Sequence, residues 1–286
     1  MNQLIQALYQ LKNKKIQCPV CDKLMTEGVW NAKEQTLTPK KNLDCYRCGV
    51  HLNWRKIQSD NCGHIFVNYK ESGLEFHKDE WRKTHGGRGG VKFNDRFHKL
   101  RSPINKKRWK VLQKFVDLKN CNSLLDVGAG GGSFLLKLND EPFVKKYSIP
   151  FLQNMEAQEI SSHCIDYLKK MGFKTHEGDF NKIKFDKQYD IVTAWHIVEH
   201  VKDVKTLAKK IGDITKKYFI VEVPMASGGN SGYGRNPNTH KRGFNGHFHF
   251  FTEKSMICLF KNYFKSWTTN EAIQGGKDSL QIIFRK

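Results

Sequence analysis

The chain has 286 residues, and its 49 Lys and Arg against 28 Asp and Glu give it a formal net charge of +21. Hydrophobic residues make up 38% of the chain and aromatic residues 12%, which is enough to bury a core and excludes a fully disordered chain. No apolar run approaches the roughly 18 residues that a membrane-spanning helix needs, so we expect no membrane partner, while the positive charge indicates an anionic partner.

Residues 1–77 are predicted to form a short N-terminal helix followed by a small metal module. Cys18 and Cys21 form one C-x-x-C pair, and Cys45 and Cys48 form a second pair. Two such pairs supply the four thiolates of a tetrahedral structural Zn²⁺ site. The N-terminal helix lacks the basic start of a secretory signal, so we expect a cytoplasmic, reducing location in which zinc is favoured over disulfides.

The phrase Cys62-Gly63-His64 opens a stretch that alternates like a strand. Ser59 occupies the place that a partner cysteine three residues upstream would take. Either Cys62 or His64 replaces a zinc ligand, or Cys62 is a buried structural cysteine. Burial is the favoured interpretation because free cysteines are commonly core residues.

Residues 78–119 are predicted to form a basic connector, with 14 basic and 4 acidic residues and therefore a net charge of +10. Its last part, residues 105–118, is predicted to be an amphipathic helix whose apolar side chains, among them Trp109 and Leu112, face the core. Basic residues interleaved with aromatic ones are typical of a surface that binds a nucleic-acid backbone and stacks bases. The same composition is typical of a solvated linker that leads into a packed helix, and both interpretations remain open from the sequence.

Residues 120–286 alternate strands with helices, which predicts an α/β domain built on a parallel sheet. A buried strand leads directly into the phrase Asp126-x-Gly128-x-Gly130-x-Gly132, and an apolar helix follows. Glycines at such a turn let a ligand approach the backbone closely, and the helix start presents free N–H groups to it. The phrase lacks the Gly-Lys-Ser/Thr ending of a phosphate-binding loop and the spacing of a dinucleotide-binding loop.

This phrase resembles motif I of class I S-adenosylmethionine-dependent methyltransferases, and later segments resemble further motifs of that family in the same order. The resemblance implies S-adenosylmethionine as the cofactor, with its ribose hydroxyls held by Glu159 and its adenine contacted by Asp179 and Phe180. It also implies a Rossmann-like methyltransferase sheet that is mostly parallel, with an antiparallel last strand over residues 280–284. The cofactor-binding residues implied in this way are Asp126, Gly128, Gly130, Gly132, Glu159, Asp179 and Phe180.

Three polar residues, His196, Glu199 and His200, follow the predicted fourth strand, at the edge where open α/β sheets bind ligands. Three roles remain open for them. They cap and pack their own loop, or His200 or His196 acts as general base for an alcohol acceptor, or the three bind a divalent ion together with His247 or His249. The Glu-His pair with a downstream histidine resembles the metal sites of ubiquinone-pathway O-methyltransferases and of enzymes that 2′-O-methylate small-RNA ends.

Residues 225–250, after the fifth strand, are too long and too rich in glycine for a simple connection, so we predict a lid over the substrate. The whole chain resembles methyltransferases that carry an N-terminal cysteine zinc ribbon, a short helical connector and a class I domain. This resemblance implies a domain division into residues 1–77, 78–119 and 120–286. Enzymes of this group often act on sugars or other small metabolites.

We therefore expect an enzyme that transfers a methyl group from S-adenosylmethionine to an oxygen or nitrogen of a small anionic or sugar-type acceptor. The first alternative is an RNA methyltransferase that binds the nucleic-acid backbone through residues 78–119. The second alternative is a non-catalytic zinc-ribbon binding protein. The intact glycine loop, Glu159 and Asp179 argue against this last hypothesis.

Overall fold

A computed structural model describes most of the C-terminal half of the chain and separate parts of the N-terminal half. The described residues are 15–26, 31–32, 35–36, 43–44, 51–52, 54–58, 61–69, 95–140, 146, 148–224, 248–270 and 279–286. The predicted N-terminal helix, Cys45, Cys48 and residues 225–247 of the predicted lid lie outside them.

The described strands are short in the N-terminal half and longer after residue 120. They are β1 (Lys15–Gln17), β2 (Leu24–Thr26), β3 (Asn31–Ala32), β4 (Gln35–Thr36), β5 (Leu43–Asp44), β6 (His51–Leu52), β7 (Trp54–Gln58), β8 (Ile65–Tyr69), β9 (Leu124–Val127), β10 (Met155–Glu159), β11 (Lys174–Glu177), β12 (Tyr189–Trp195), β13 (Thr215–Pro224), β14 (His249–Phe250), β15 (Ser266–Thr269) and β16 (Ser279–Arg285). The described α-helices are α1 (Asp95–Phe115), α2 (Ser133–Leu138), α3 (Ser162–Lys170), α4 (Val204–Ile214) and α5 (Glu253–Phe260). Short 3-10 turns cover Leu118–Asn120, Pro150–Gln153 and Val198–His200.

Seven strands form one sheet in the order β11-β10-β9-β12-β13-β16-β15. The strands from β11 to β13 pair in parallel, whereas β16 is antiparallel to both of its neighbours. These pairings confirm the predicted α/β class, with a mostly parallel sheet and an antiparallel last strand. Because the strand order reverses between β9 and β12, the crevice for a ligand is expected at the carboxyl ends of these two strands.

The sheet is buried on both faces, as expected for parallel strands that read as continuous apolar runs. Helices α4 and α5 pack on one face through side chains such as Leu207 and Phe260. Helices α1, α2 and α3 pack on the other face through Leu112, Leu135 and Leu168. Two hydrophobic layers therefore hold the strand ends in place from both sides.

Helix α1 is longer than the sequence predicts. It begins at Asp95, ten residues before the predicted start, and it continues through Pro103 to Phe115. Its C-terminal half buries Trp109 and Leu112, as predicted. Its N-terminal half is held by a contact distant in sequence, because the His98 Nε2 and Tyr167 Oη atoms of α1 and α3 lie 2.8 Å apart. Local apolar periodicity carries no signal for such a contact.

The N-terminal module and the C-terminal domain share a three-stranded sheet in the order β14-β8-β7. Strand β14, which ends the predicted lid, pairs antiparallel with β8, with His249 opposite Phe66. Thr252 is the N-cap of α5, and its hydroxyl also donates a hydrogen bond to the carbonyl of Cys62 at 3.0 Å. Within the described part of the chain, no helix is both long and apolar enough to cross a membrane.

Candidate active site at the carboxyl ends of the parallel strands

The loop between β9 and α2 depends on three glycines with positive φ, at +64° for Gly128, +56° for Gly130 and +67° for Gly132. A Cβ atom on Gly128 would lie 2.1 Å from Ile197, and one on Gly132 would lie 2.6 Å from Leu168. A Cβ atom on Gly130 would meet nothing within 4 Å. Two of the glycines therefore permit close packing, whereas Gly130 faces open space, where a cofactor has room to approach the backbone.

Glu159 ends strand β10 directly beside this loop. One carboxylate oxygen accepts the Gly130 N–H at 2.7 Å, and the other accepts the N–H groups of Ile160 and Ser161 at 2.7 and 3.0 Å. The carboxylate is therefore held next to the open position of the loop. The ribose role of Glu159 stays a prediction.

Asp126 lies underneath the loop rather than in the crevice. Its side chain is 1% exposed and accepts a hydrogen bond from the Thr193 hydroxyl at 2.7 Å. Burial is the largest influence and raises the pKa of Asp126 to about 7, against the lowering effect of the Thr193 bond. Asp126 thus supports the loop from below, and the structure gives it no open surface for a cofactor.

The turn after β11 is tied to the glycine loop by Gln158, which the sequence analysis did not single out. Its side-chain oxygen accepts the Gly128 N–H at 3.1 Å, and its amide donates to the Gly178 carbonyl at 2.7 Å. Asp179 follows in this turn, where its carboxylate accepts the Asn181 N–H at 3.0 Å. The one sequence signal for Gln158 is its place in β10 directly before Glu159, the acid of the cofactor motif.

Phe180 is placed differently from what the resemblance implies. Its ring is 6% exposed and belongs to the core, where it lies 5.6 Å from the ring of Phe185 between centroids. A ring packed in this way offers little surface to adenine. The backbone of the turn and Asp179 remain the parts of this segment that face the crevice by position.

His196 directly follows β12 and has a positive φ of +58°, which non-glycine residues rarely adopt. Its Nε2 atom lies 2.8 Å from Glu222 Oε1, and its Nδ1 atom lies 3.4 Å from Glu199 Oε1. Burial lowers the pKa of His196, but the nearby carboxylates of Glu199 and Glu222 outweigh burial and raise the pKa to about 9. At neutral pH His196 is therefore an imidazolium without a lone pair, so the base hypothesis falls to His200.

His200 lies on the same short turn, with its Nε2 atom 3.9 Å from Glu199 Oε1. The Glu199 side chain is 1% exposed, and the backbone carbonyl of Glu199 accepts a hydrogen bond from the Phe248 N–H at 2.7 Å. Glu199 therefore lies between the two histidines and is connected through its backbone to the segment that precedes β14. The general-base role of His200 stays a prediction.

His249 does not join this group. Its Nδ1 atom lies 3.0 Å from His64 Nε2, and its Nε2 atom lies 3.3 Å from the Lys202 carbonyl. Burial lowers the pKa of His249 to about 4, so the ring is neutral between the N-terminal module and the C-terminal domain. His247, the other histidine in the divalent-ion hypothesis, lies outside the described residues.

Across the described part of the chain, the one group of three or more metal-binding side chains with close ligand atoms consists of cysteines. The ligand atoms of Cys18, Cys21 and Cys62 all lie within 4.8 Å of one another. The Cys18 and Cys62 sulfurs are 3.8 Å apart and buried. The structure thus brings Cys62 to the first predicted C-x-x-C pair, the arrangement that the sequence left as the less favoured interpretation. Cys45 and Cys48 stay a prediction.

Residues 94–263 match a family model described as a methyltransferase domain, which is 170 of the 286 residues and more than half of the chain. Among solved structures, the chain is similar to magnesium protoporphyrin IX methyltransferase from Synechocystis PCC 6803 with bound S-adenosylhomocysteine. That similarity has 14% identity and a TM-score of 0.48, and it covers 75% of this chain and 96% of that one.

A second similar structure is an S-adenosylmethionine-dependent methyltransferase from Thermotoga maritima, at 17% identity and a TM-score of 0.44, over 65% of this chain and 96% of that one. A third is an S-adenosylmethionine-dependent methyltransferase from Mesorhizobium loti, at 12% identity and a TM-score of 0.47, over 63% of this chain and 97% of that one. No curated protein matches the chain. The matched region contains the glycine loop, Glu159 and the polar residues after β12, and the chain belongs to the methyltransferase-domain family as an S-adenosylmethionine-dependent methyltransferase.

Proposed function

We propose that this enzyme methylates an oxygen or nitrogen of a small anionic or sugar-type acceptor. The observation that carries the proposal is His196, whose raised pKa makes it a cation at the carboxyl end of β12. Its side chain is 36% exposed, so a positive charge reaches the surface at the edge of the sheet where the glycine loop also ends. The charges of Glu199 and Glu222 offset those of His196 and Arg108, so an anionic group on the acceptor would be held there by a charge-assisted hydrogen bond from His196 rather than by a net positive charge.

Helix α1 adds further positive charge near this edge. It carries eight basic residues and one acidic residue. The Asn105 amide donates to the Ser133 carbonyl at the start of α2 at 2.8 Å, and Arg108 reaches Glu222. The basic helix is thereby attached both to the cofactor loop and to the charged group after β12, which suits an anionic acceptor.

The described residues fit the cofactor. Gly130 has open space beside it, and Glu159 is hydrogen-bonded to the same loop. When bound, S-adenosylmethionine supplies a methyl group on a sulfonium, which an acceptor lone pair attacks when it is held in line at near-attack distance. His200, beside Glu199, is the side chain that would remove the acceptor proton where the acceptor is a hydroxyl.

A structural zinc ion is the second cofactor of this proposal. Cys18, Cys21 and Cys62 offer three thiolates with the softness that zinc prefers, and a fourth ligand would come from Cys45 or Cys48. Metal analysis of the purified protein is expected to find about one zinc per chain, and Cys62→Ser is expected to lose it, whereas Cys121→Ser, which alters a buried cysteine of the core, is expected to keep it. A folded protein without zinc would contradict this assignment.

The acceptor class is tested by methyl transfer from tritium-labelled S-adenosylmethionine to separate RNA, protein and small-metabolite fractions of a cell extract. Label is expected in the small, anion-exchange-retained metabolites. Glu159→Gln is expected to abolish it, whereas Glu156→Gln, a buried acid at the other end of the same strand, is expected to keep it. Label in RNA would instead favour the nucleic-acid hypothesis, in which α1 and residues 78–94 bind the phosphate backbone.

A further inference from the structure

Glu222 of β13 is the centre of a buried ionic group that no sequence motif indicates. Its carboxylate accepts hydrogen bonds from three elements: Arg108 Nε of α1 at 3.2 Å, His196 Nε2 after β12 at 2.8 Å, and Gln281 Nε2 of β16 at 2.8 Å. The Arg108 guanidinium also lies over the Trp195 ring, 4.7 Å from its centroid. Three parts of the sheet, β13, the end of β12 and β16, therefore meet α1 at one carboxylate.

A buried ion pair is a poor means of stabilising a fold, because desolvation of both charges offsets their attraction. This group lies at the end of β12 and β13 where ligands bind, so a role in binding explains it better than stability does. The exposed fractions support that interpretation. The Arg108 and Glu222 side chains are 8% and 5% exposed and Glu199 is 1% exposed, whereas His196 is 36% exposed. Within this described group, His196 is the member that reaches solvent.

The two ring nitrogens of His196 have different surroundings. Nε2 is 2.8 Å from Glu222 and is fully engaged. Nδ1 is 3.4 Å from Glu199 Oε1, which is longer than a normal hydrogen bond, so its N–H can be shared with a ligand. The charged groups that face the imidazole are Glu222, Arg108 behind it, and Glu199, and the titratable side chain of His200 lies next to Glu199. The positive φ of His196 turns this ring out from the strand end.

We infer that Glu222 is a positioning residue that holds His196 as an oriented imidazolium, and that the Nδ1–H of His196 binds an anionic oxygen of the acceptor, a carboxylate or phosphate near the methylated atom. This inference rests on the proposed function, because it names the group that would recognise the charge of the acceptor. Burial alone would favour the protonated acid, but the hydrogen bond with His196 and then the charge of Arg108 outweigh burial and lower the pKa of Glu222 to about 2.

Histidine NMR of the complete protein tests the inference without a known acceptor. The His196 signal, assigned by its loss in His196→Gln, is expected to titrate with a midpoint near 9 in the wild type. In Glu222→Gln the midpoint is expected to fall toward the ordinary value of about 6.5. Glu156→Gln is the matched control: that carboxylate is equally buried and accepts bonds from Lys187, Tyr189 and His176 at the opposite end of the sheet, so the midpoint is expected to stay unchanged.

Inorganic phosphate and sodium acetate are the two probes for the anionic oxygen. At least one is expected to shift the His196 signal in the wild type and in Glu156→Gln but not in Glu222→Gln, and the one that does so identifies phosphate or carboxylate. Calorimetry is expected to show equal S-adenosylmethionine affinity in the wild type and Glu222→Gln, because the hydrogen bonds that Glu222 accepts come from Arg108, His196 and Gln281, which lie outside the glycine loop.

A wild-type midpoint near 6.5 overturns the inference without any variant, so the test holds even where Glu222→Gln does not fold. An unchanged midpoint in folded Glu222→Gln, or no response to either anion, also overturns it. These outcomes are separate from the proposed function, which fails when the methyl label enters RNA or protein, whatever His196 does.

Discussion

Single residues of the glycine loop differ in what they do for the site. Gly128 and Gly132 let the loop pack against Ile197 and Leu168, whereas Gly130 leaves the space that a cofactor would enter. All three share a left-handed backbone, so the conformation alone does not distinguish them. The three glycines are distinguished by the atoms that surround the place where a Cβ atom would lie.

Gly130→Ala is expected to weaken S-adenosylmethionine binding at least about tenfold, because the new methyl group enters the space beside Glu159. Ala is also strained at this positive φ by about 1–2 kcal/mol, a cost to folding stability rather than to binding. Gly172→Ala is the matched control, since Gly172 also has a positive φ and open surroundings but lies after α3, outside the loop. It carries the same strain and is expected to keep the affinity of the wild type. Calorimetry with both variants decides, and equal affinities would show that Gly130 does not border the cofactor.

Asp126 makes folding stability depend on pH. Because folding raises its pKa from 3.8 to about 7, the folded state holds the proton more tightly than the unfolded state, and stability is lost as the pH rises toward and through 7. In the Asp126→Asn variant this side chain cannot ionise, so the variant does not lose folding stability in this way as the pH rises. Urea unfolding is expected to show the variant gaining about 2 kcal/mol relative to the wild type between about pH 5 and pH 8. A constant difference between the two proteins would mean that Asp126 titrates normally.

The positions of Glu159 at the end of β10 and of His196 directly after β12 are predictable from the sequence, because each directly follows a run of buried strand residues. Glu222 gave no such signal. It lies inside a run that reads as an ordinary buried strand, and its partner Arg108 is 114 residues away in a helix that reads as a basic surface. Only the packing of α1 against the sheet brings the two together.

At the scale of elements, the segment that leads into α5 connects the N-terminal module to the catalytic domain. Strand β14 pairs with β8, Thr252 binds the Cys62 carbonyl, and the Phe248 N–H binds the carbonyl of Glu199. The cysteine cluster is therefore joined through a few hydrogen bonds to the loop that carries the polar residues after β12. From the sequence, residues 248–252 are predicted to be the end of a lid that includes the candidate metal ligand His249, with no indication of a contact to the N-terminal module.

Thr252→Ala is expected to release zinc to a chelator several-fold faster, because it removes the hydrogen bond to Cys62 and also the N-cap of α5, which is worth about 1 kcal/mol. Ser255→Ala is the control, since Ser255 completes the capping box but does not contact Cys62. It is expected to lower the melting temperature while leaving zinc release unchanged. Equal release rates in the two variants would mean that the Cys62 contact does not hold the module.

At the scale of the whole molecule, the +21 charge is divided between the two halves of the chain. Residues 78–119 alone contribute +10, and the described part of that stretch is the helix α1 and the turn after it. Because α1 packs on the sheet and reaches Glu222, part of this charge belongs to the edge of the active site. The sequence alone is equally compatible with a solvated linker.

Salt distinguishes a small acceptor from a nucleic acid. A protein that binds about 6–10 phosphates of a polymer loses roughly 10³–10⁵-fold in affinity between about 50 and 200 mM salt. For a small anionic acceptor we expect the ratio kcat/KM to fall by no more than about tenfold over that range, because only one or two charges are neutralised. Steady-state kinetics on the labelled fraction measures this ratio, and a steeper loss would favour the polymer.

The sequence by itself determined the fold class and the position of the glycine loop, because these follow from local burial patterns and from glycines at a strand-to-helix turn. The cofactor followed from the resemblance of that loop to a known family. Only the tertiary structure decided which residues that are distant in the sequence lie in contact. Cys62 joins Cys18 across 44 residues, and Glu222 joins Arg108 and His196 from separate elements. Such contacts depend on how helices and strands pack in space, and the pattern of residue types along the chain does not predict that packing.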